Sequence, residues 1–130
     1  MPNKIEVVPI GYIISNYKER ALTHEEAIST PKGKAIIKIL PKYLKGITGL
    51  KAGMTITVIF NFHKANGYKL TYTRPFGDTY GVFALHAPDR PNAIGISQVH
   101  ILEIKEDMIM IDNSDMIDGT PVLDIKLDRN

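Results

Sequence analysis

The clearest pattern of apolar and polar positions lies in the middle of the chain. From Met54 to His63 the two classes alternate, with Met54, Ile56, Val58, Phe60 and Phe62 on one face and Thr55, Thr57, Ile59, Asn61 and His63 on the other. A period of two predicts a half-buried strand with a polar second face. Asn66-Gly67 follows, a pair that tolerates the positive φ of a two-residue hairpin turn. Such a turn pairs Ala65 with Tyr68, His63 with Leu70 and Asn61 with Tyr72. It makes Tyr68 to Thr73, rich in aromatic and β-branched residues, the partner strand, which Arg74-Pro75-Phe76-Gly77-Asp78 then breaks.

Other segments repeat the theme. Lys4 to Ile14 is rich in Ile and Val, with Pro9 demoting part of it to an edge or bulged strand, and Ala35 to Leu40 is a second strand. Between them, Thr23-His24-Glu25-Glu26 predicts a short helix near residues 23–29, ended by Pro31 and Gly33. Pro41 to Leu50, with Gly46 and Gly49, reads as a turn with one helical turn. Gln98 to Ile104 and Met108 to Asp112 form a hairpin across Lys105-Glu106-Asp107, and Pro121 to Leu127 is the last strand after the polar connection Asn113 to Gly119. Short strands, frequent turns and no long helical period predict an all-β fold, a small closed or partly closed β-barrel with short helical or irregular connections, in one domain over residues 1–130.

Composition narrows the chemistry. The chain has 130 residues and no cysteine, so disulfides, thiolate catalysis and cysteine-held metals are excluded. No metal site is expected either, because His63, His86 and His100 have no ligand spacing. The apolar run at the N-terminus is broken by Glu6 and Pro9, and no segment reaches the ~20 apolar residues of a membrane span, so a cytoplasmic protein off the membrane is expected. A formal charge of +2 does not by itself point to nucleic acid. Lys32, Lys34, Lys38, Lys42, Lys45 and Lys51 nevertheless recur with no acid among them, either as a solvated face or as one that meets phosphates.

Gly81 to Ser97, GVFALHAPDRPNAIGIS, is the stretch richest in candidate chemistry. Pro88 and Pro91 exclude a helix interior or central strand and make it a rigid connection, carrying His86, Asp89, Arg90 and Asn92 within a few residues. Arg90 is suited to an ion pair with Asp89, Asp118 or Asp124, or to bidentate capture of a carboxylate or phosphate. His63 and His86, if they converge, are an acid-base pair in waiting. Neither a dinucleotide fingerprint nor a phosphate loop is present, so any nucleotide-like ligand must be held by loops at a barrel rim.

RPNAIGIS paired with the downstream Asp118-Gly119-Thr120-Pro121-Val122-Leu123-Asp124-Ile125-Lys126 resembles the TsaA-like, or TrmO, family. Pro9 to Ile13, YLKGITGL at Tyr43 to Leu50, and Phe60-Asn61-Phe62-His63 are weaker matches in the same order. Characterised members are S-adenosylmethionine-dependent tRNA methyltransferases of a small β-barrel type. The resemblance implies S-adenosyl-L-methionine as cofactor, tRNA as partner, a homodimer, and methylation of the exocyclic nitrogen of a threonylcarbamoyl-modified adenosine. It places cofactor contacts at Phe62, His63, His86, Arg90, Ile96, Asp118, Gly119, Thr120, Pro121 and Val122. Asp124 and His63 are the candidate catalytic bases. Leu85-His86-Ala87-Pro88 stands where the family has Thr-Arg-Ser-Pro, and Thr30-Pro31-Lys32-Gly33 is all that represents an Arg-Gln loop. These departures keep open a barrel that binds S-adenosylmethionine or another adenine ligand with a different methyl acceptor or none. A third alternative is an RNA-binding scaffold using the lysines and Tyr68, Tyr72 and Tyr80.

Overall fold

The computed structural model describes residues 3–16 and 33–128. Its strands are β1 (Gly11–Ile14), β2 (Gly33–Ile39), β3 (Thr55–Asn61), β4 (Thr71–Thr73), β5 (Thr79–Gly81), β6 (Ile94–Lys105), β7 (Met108–Ser114) and β8 (Pro121–Leu127). Six of them close into an antiparallel barrel in the order β1-β2-β7-β6-β3-β8, while β4 and β5 pair with each other outside it. The all-β barrel read from the sequence is the fold observed.

Alternation explains the core. On β3 every second residue is buried, Ile56, Val58 and Phe60, as the period-two pattern requires. Ile13, Ile37, Ile39, Val99, Ile101, Ile109, Ile111 and Val122 point into the same interior. At about 25 cal/mol per Å² of apolar area, burial of these β-branched side chains is the main force that closes the barrel. The hairpin between β6 and β7 forms where expected, with Glu106 at φ 56°.

Two expectations are corrected. The segment Tyr68 to Thr73 does not pair with β3, because both edges of β3 are taken, by β6 (Asn61 opposite Ile94) and by β8 (Phe60 opposite Val122). In the Asn66-Gly67 pair only Gly67 has positive φ, at 69°, and the Asn66 N–H donates 3.1 Å to Asp89 Oδ1 rather than closing a hairpin. The hairpin that does form is β4 to β5, with Arg74 to Asp78 as its loop. The first strand is also shorter than Lys4 to Ile14, starting only at Gly11. There a Cβ would run into the Lys38 carbonyl oxygen, so only glycine permits this approach to β2. The expected helix near residues 23–29 lies outside the described residues.

The two barrel ends are closed differently. A 3-10 helix, Pro41–Ile47, caps the end where β2 finishes and β3 begins, placing Tyr43, Ile47 and Leu50 against the core. The other end carries the turn before β8, the residues after β3 and the Pro-rich loop before β6. We call this the loop end.

Candidate functional site at the loop end of the barrel

Gly119 organises the loop end. It sits at φ 83°, which a residue with a side chain rarely adopts, and its N–H donates 2.7 Å to Ile13 O. Thr120 O accepts from Ile13 N at 3.0 Å, and the Ser15 N–H donates 2.9 Å to Asp118 Oδ1. The Asp118 to Thr120 turn is therefore stitched to the end of β1. Thr120 is buried and its hydroxyl donates to Ile117 O. Ser15 Oγ donates 2.9 Å to Met116 O, and Ser114 Oγ accepts from Met116 N at 3.2 Å. Ser15, Ser114 and Thr120, the buried polar residues among those described, all lie at this end.

Opposite this turn stand the residues that follow β3. A Cβ placed on Gly119 would lie 3.8 Å from His63 Nε2, so the His63 ring faces the turn across a gap that glycine leaves open. Partial desolvation of the largely exposed ring, and next the charge of Lys64, lower the His63 pKa from its ordinary 6.5. The imidazole is thereby kept neutral and able to accept a proton at neutral pH. Phe62 packs edge-on against Phe60, ring centroids 5.0 Å apart, and both rings rest over Gly95. A Cβ there would come within 2.6 Å of Phe62 and 2.7 Å of Phe60.

The loop between β5 and β6 is held from within. The Arg90 guanidinium donates through Nη1 to Leu85 O at 2.6 Å and Ala87 O at 3.2 Å, rather than to Asp118 or Asp124. Asp89 accepts from Asn66 N, and its carbonyl accepts from Tyr72 Oη at 3.2 Å, which ties the loop to β4. Ala93 sits at φ 48°, and its carbonyl accepts from Phe62 N at 2.7 Å and Asn61 Nδ2 at 3.3 Å. His86 is exposed on the arc that Arg90 shapes.

Among the sequence-named residues, then, Phe62, His63 and the segment Asp118 to Val122 meet at one rim. Ile96 and Asp124 do not join them there. Both lie opposite Ile59, which places them in one cross-strand row on the barrel's outer surface, and Ile96 is 64% exposed. Asp124 Oδ1 accepts from Ile125 N at 2.9 Å and Oδ2 lies 3.0 Å from Lys126 Nζ. Gly95, Ala93, Asn61 and Ser15, which support the rim, were not singled out for it in the sequence. Gly95 and Ala93 stand inside NAIGIS and Asn61 on the polar face of its strand, so the signal was present. What it lacked was the pairing of β3 with β6.

No helix among the described residues is long and apolar enough to cross a membrane. The model of the tRNA-methyltransferase O N-terminal domain matches residues 12–127. A Pyrococcus abyssi protein described as "Probable S-adenosyl-L-methionine-binding protein" is 35% identical over 128 residues, 97% of this chain and 69% of that protein. The mouse tRNA (adenine(37)-N6)-methyltransferase is 33% identical over 127 residues, 91% of this chain but 29% of its own length. The crystal structure of TrmO from Pseudomonas aeruginosa superposes with a TM-score of 0.74 at 30% identity, over 97% of this chain and 56% of that one. The chain thus spans about half of that solved relative and under a third of the mouse enzyme. With the family model matched over residues 12–127 and the fold shared over nearly its whole length, the chain belongs to the family of the tRNA-methyltransferase O N-terminal domain.

Proposed function

We propose that this chain binds S-adenosylmethionine at the loop end and methylates the exocyclic nitrogen of an adenosine in tRNA, the threonylcarbamoyl-modified one beside the anticodon. It does so as a cytoplasmic homodimer. The observation that carries this reading is the approach of His63 Nε2 to Gly119. Two segments that match the family separately in sequence, Phe62-His63 and Asp118 to Val122, face each other across one open gap. The rim suits a cofactor with a flat adenine and a charged methionine end. Phe62 offers an aromatic edge, the Gly119 turn brings backbone close without a side chain, and internal bonds hold the Pro-rich loop so that little entropy is lost on binding.

When bound, S-adenosylmethionine supplies a methyl group already activated on a sulfonium, so the new C–N bond forms as the C–S bond breaks and a neutral thioether leaves. The chain's share is to orient the acceptor nitrogen in line and to exclude water. His63 takes the proton that nitrogen sheds, and its depressed pKa keeps it free to do so. Asp124 is the weaker candidate, since both its oxygens are engaged.

Calorimetric titration with S-adenosylmethionine, paired with transfer of labelled methyl into tRNA carrying the modified adenosine, tests the reading. Binding near ~10 μM with methyl acceptance is expected, and His63→Gln should keep the binding while losing about 10²-fold in turnover. No binding at ~1 mM would overturn it. Binding without methyl acceptance would instead leave a barrel that only holds an adenine ligand.

A further inference from the structure

Among the described residues, Asn3 to Val8 and the outer edge of the far half of β8 are paired with no strand. Asn3 to Val8 are exposed throughout, with Ile5, Val7 and Val8 at 87%, 64% and 59%. β1 pairs with β8 only at Pro121 and Val122. Beyond that point β8 is bonded to β3 on one side and, among the described residues, to no strand on the other. Asp128 N donates to Thr55 O, so ladder alternation turns the backbone of Ile125 and Leu127 to the unpaired edge. There the Ile125 N–H is satisfied by its neighbour Asp124. That edge opens on a cleft of about 520 Å³, lined by Ile39, Tyr43, Ile47, Leu50, Ile125 and Leu127 together with the charged Lys42, Lys45 and Asp124. Open apolar edges of this kind invite a further strand.

We infer that the Lys4 to Val8 arm of a second copy of this chain adds to the β8 edge and fills this cleft, so that two copies exchange arms about a two-fold axis. Three features select this occupant. The arm alternates weakly and carries Ile5, Val7 and Val8, the residue types that suit an added strand. Its one acid, Glu6, would enter a cleft whose lining holds two lysines, Lys42 and Lys45, against one acid, Asp124, which is already paired with Lys126. Ile10, at the arm's root, is itself a cleft residue. Six extended residues span ~20 Å, which sets how close the two clefts must lie across the two-fold axis. In the single chain the backbone bends at Ile10, whose carbonyl accepts from Leu40 N, and the arm leaves its own cleft unfilled.

The exchange rests on the proposed homodimer but not on methyl transfer, so the two fail separately. Sedimentation equilibrium at ~50 μM should show the full chain as a dimer. Deleting residues 1–8 should weaken association at least ~100-fold, and Glu6→Lys about tenfold, with the melting temperature of the barrel extrapolated to low concentration unchanged. The chain has no cysteine. A mixture of Val7→Cys and Leu127→Cys chains should therefore give the mixed disulfide dimer on oxidation. A monomeric full chain would overturn the exchange, and so would a dimer that survives the deletion. An internal disulfide in the Val7→Cys/Leu127→Cys double variant with no cross-linked dimer would do the same, placing the arm in its own cleft.

Discussion

One end of this barrel is lined by hydrocarbon and the other is laced with hydrogen bonds. At the capped end Tyr43, Ile47 and Leu50 of the 3-10 helix and the residues after it rest on the core. The loop end holds Ser15, Ser114 and Thr120 buried, each with a hydrogen-bond partner. Apolar contacts are tolerant of small shifts, whereas a polar group buried among fixed partners accepts one arrangement. The capped end is thus suited to keeping the barrel shut, and the loop end to holding Gly119 and His63 at a set separation.

Two glycines sharpen that contrast, one near each end. Gly11→Ala sets a methyl against the Lys38 backbone carbonyl, which cannot move without parting β1 from β2. A loss of about 3 kcal/mol in urea unfolding is expected. Gly95→Ala presses on the outer atoms of the Phe60 and Phe62 rings, which can tilt, so a loss of about 1–2 kcal/mol is expected. The smaller stability loss should carry the larger functional one, because Phe62 leads directly into His63. If Gly95→Ala proves the more costly of the two, the rings have no room to give and the loop end is the more rigid.

Next in size is Asp118→Ala, which removes the acceptor of the part-buried Ser15 N–H. Loss of a part-buried hydrogen bond to a carboxylate costs about 1–2 kcal/mol, read by denaturant titration. Asp118→Asn keeps an oxygen in place and should recover most of it.

These residues also show what was legible in the sequence. Ile56, Val58 and Phe60 announced β3 because burial on one face imposes a period of two, and Pro121 to Leu127 announced β8 to the residue. Partners were another matter. Asn66-Gly67 is a local signal, and it could not register that distant β6 and β8 claim both edges of β3. Likewise Lys4 to Val8 has strand composition, yet among the described residues no strand forms beside it. At the site, Phe62-His63 and Asp118 to Val122 were legible as motifs. The left-handed Ala93 that receives Phe62 N was not, since nothing about alanine advertises φ 48°.

A pH series addresses the loop end alone. His63 titrates below 6.5 in the fold, so the folded state resists its protonation. Stability from this group is intact above pH 6.5 and declines as pH falls through the lowered value, because the unfolded chain then binds the extra proton. The ring is largely exposed, so the effect is small. A melting temperature that drops slightly more between pH 7 and about pH 5 in the parent than in His63→Gln would show it. Methyl transfer should lose activity over the same range, with an acid limb that His63→Gln abolishes.

The smallest structural effect is expected from Asp124→Asn, and it is the sharpest test of where the chemistry sits. The Asp124 to Lys126 pair is half exposed on both sides, and such pairs contribute about 0–1 kcal/mol. The amide oxygen of asparagine can still accept from Ile125 N, so unfolding should shift by no more than a few tenths of a kcal/mol. Turnover should be equally unmoved, since Asp124 lies opposite Ile59 in the outer row with Ile96 and not at the gap between His63 and Gly119. Methyl transfer measured at saturating tRNA and cofactor decides the matter. A fall of about 10² with binding unchanged would move the base from the rim to the outer row that Asp124 shares with Ile96, and with it the acceptor nitrogen.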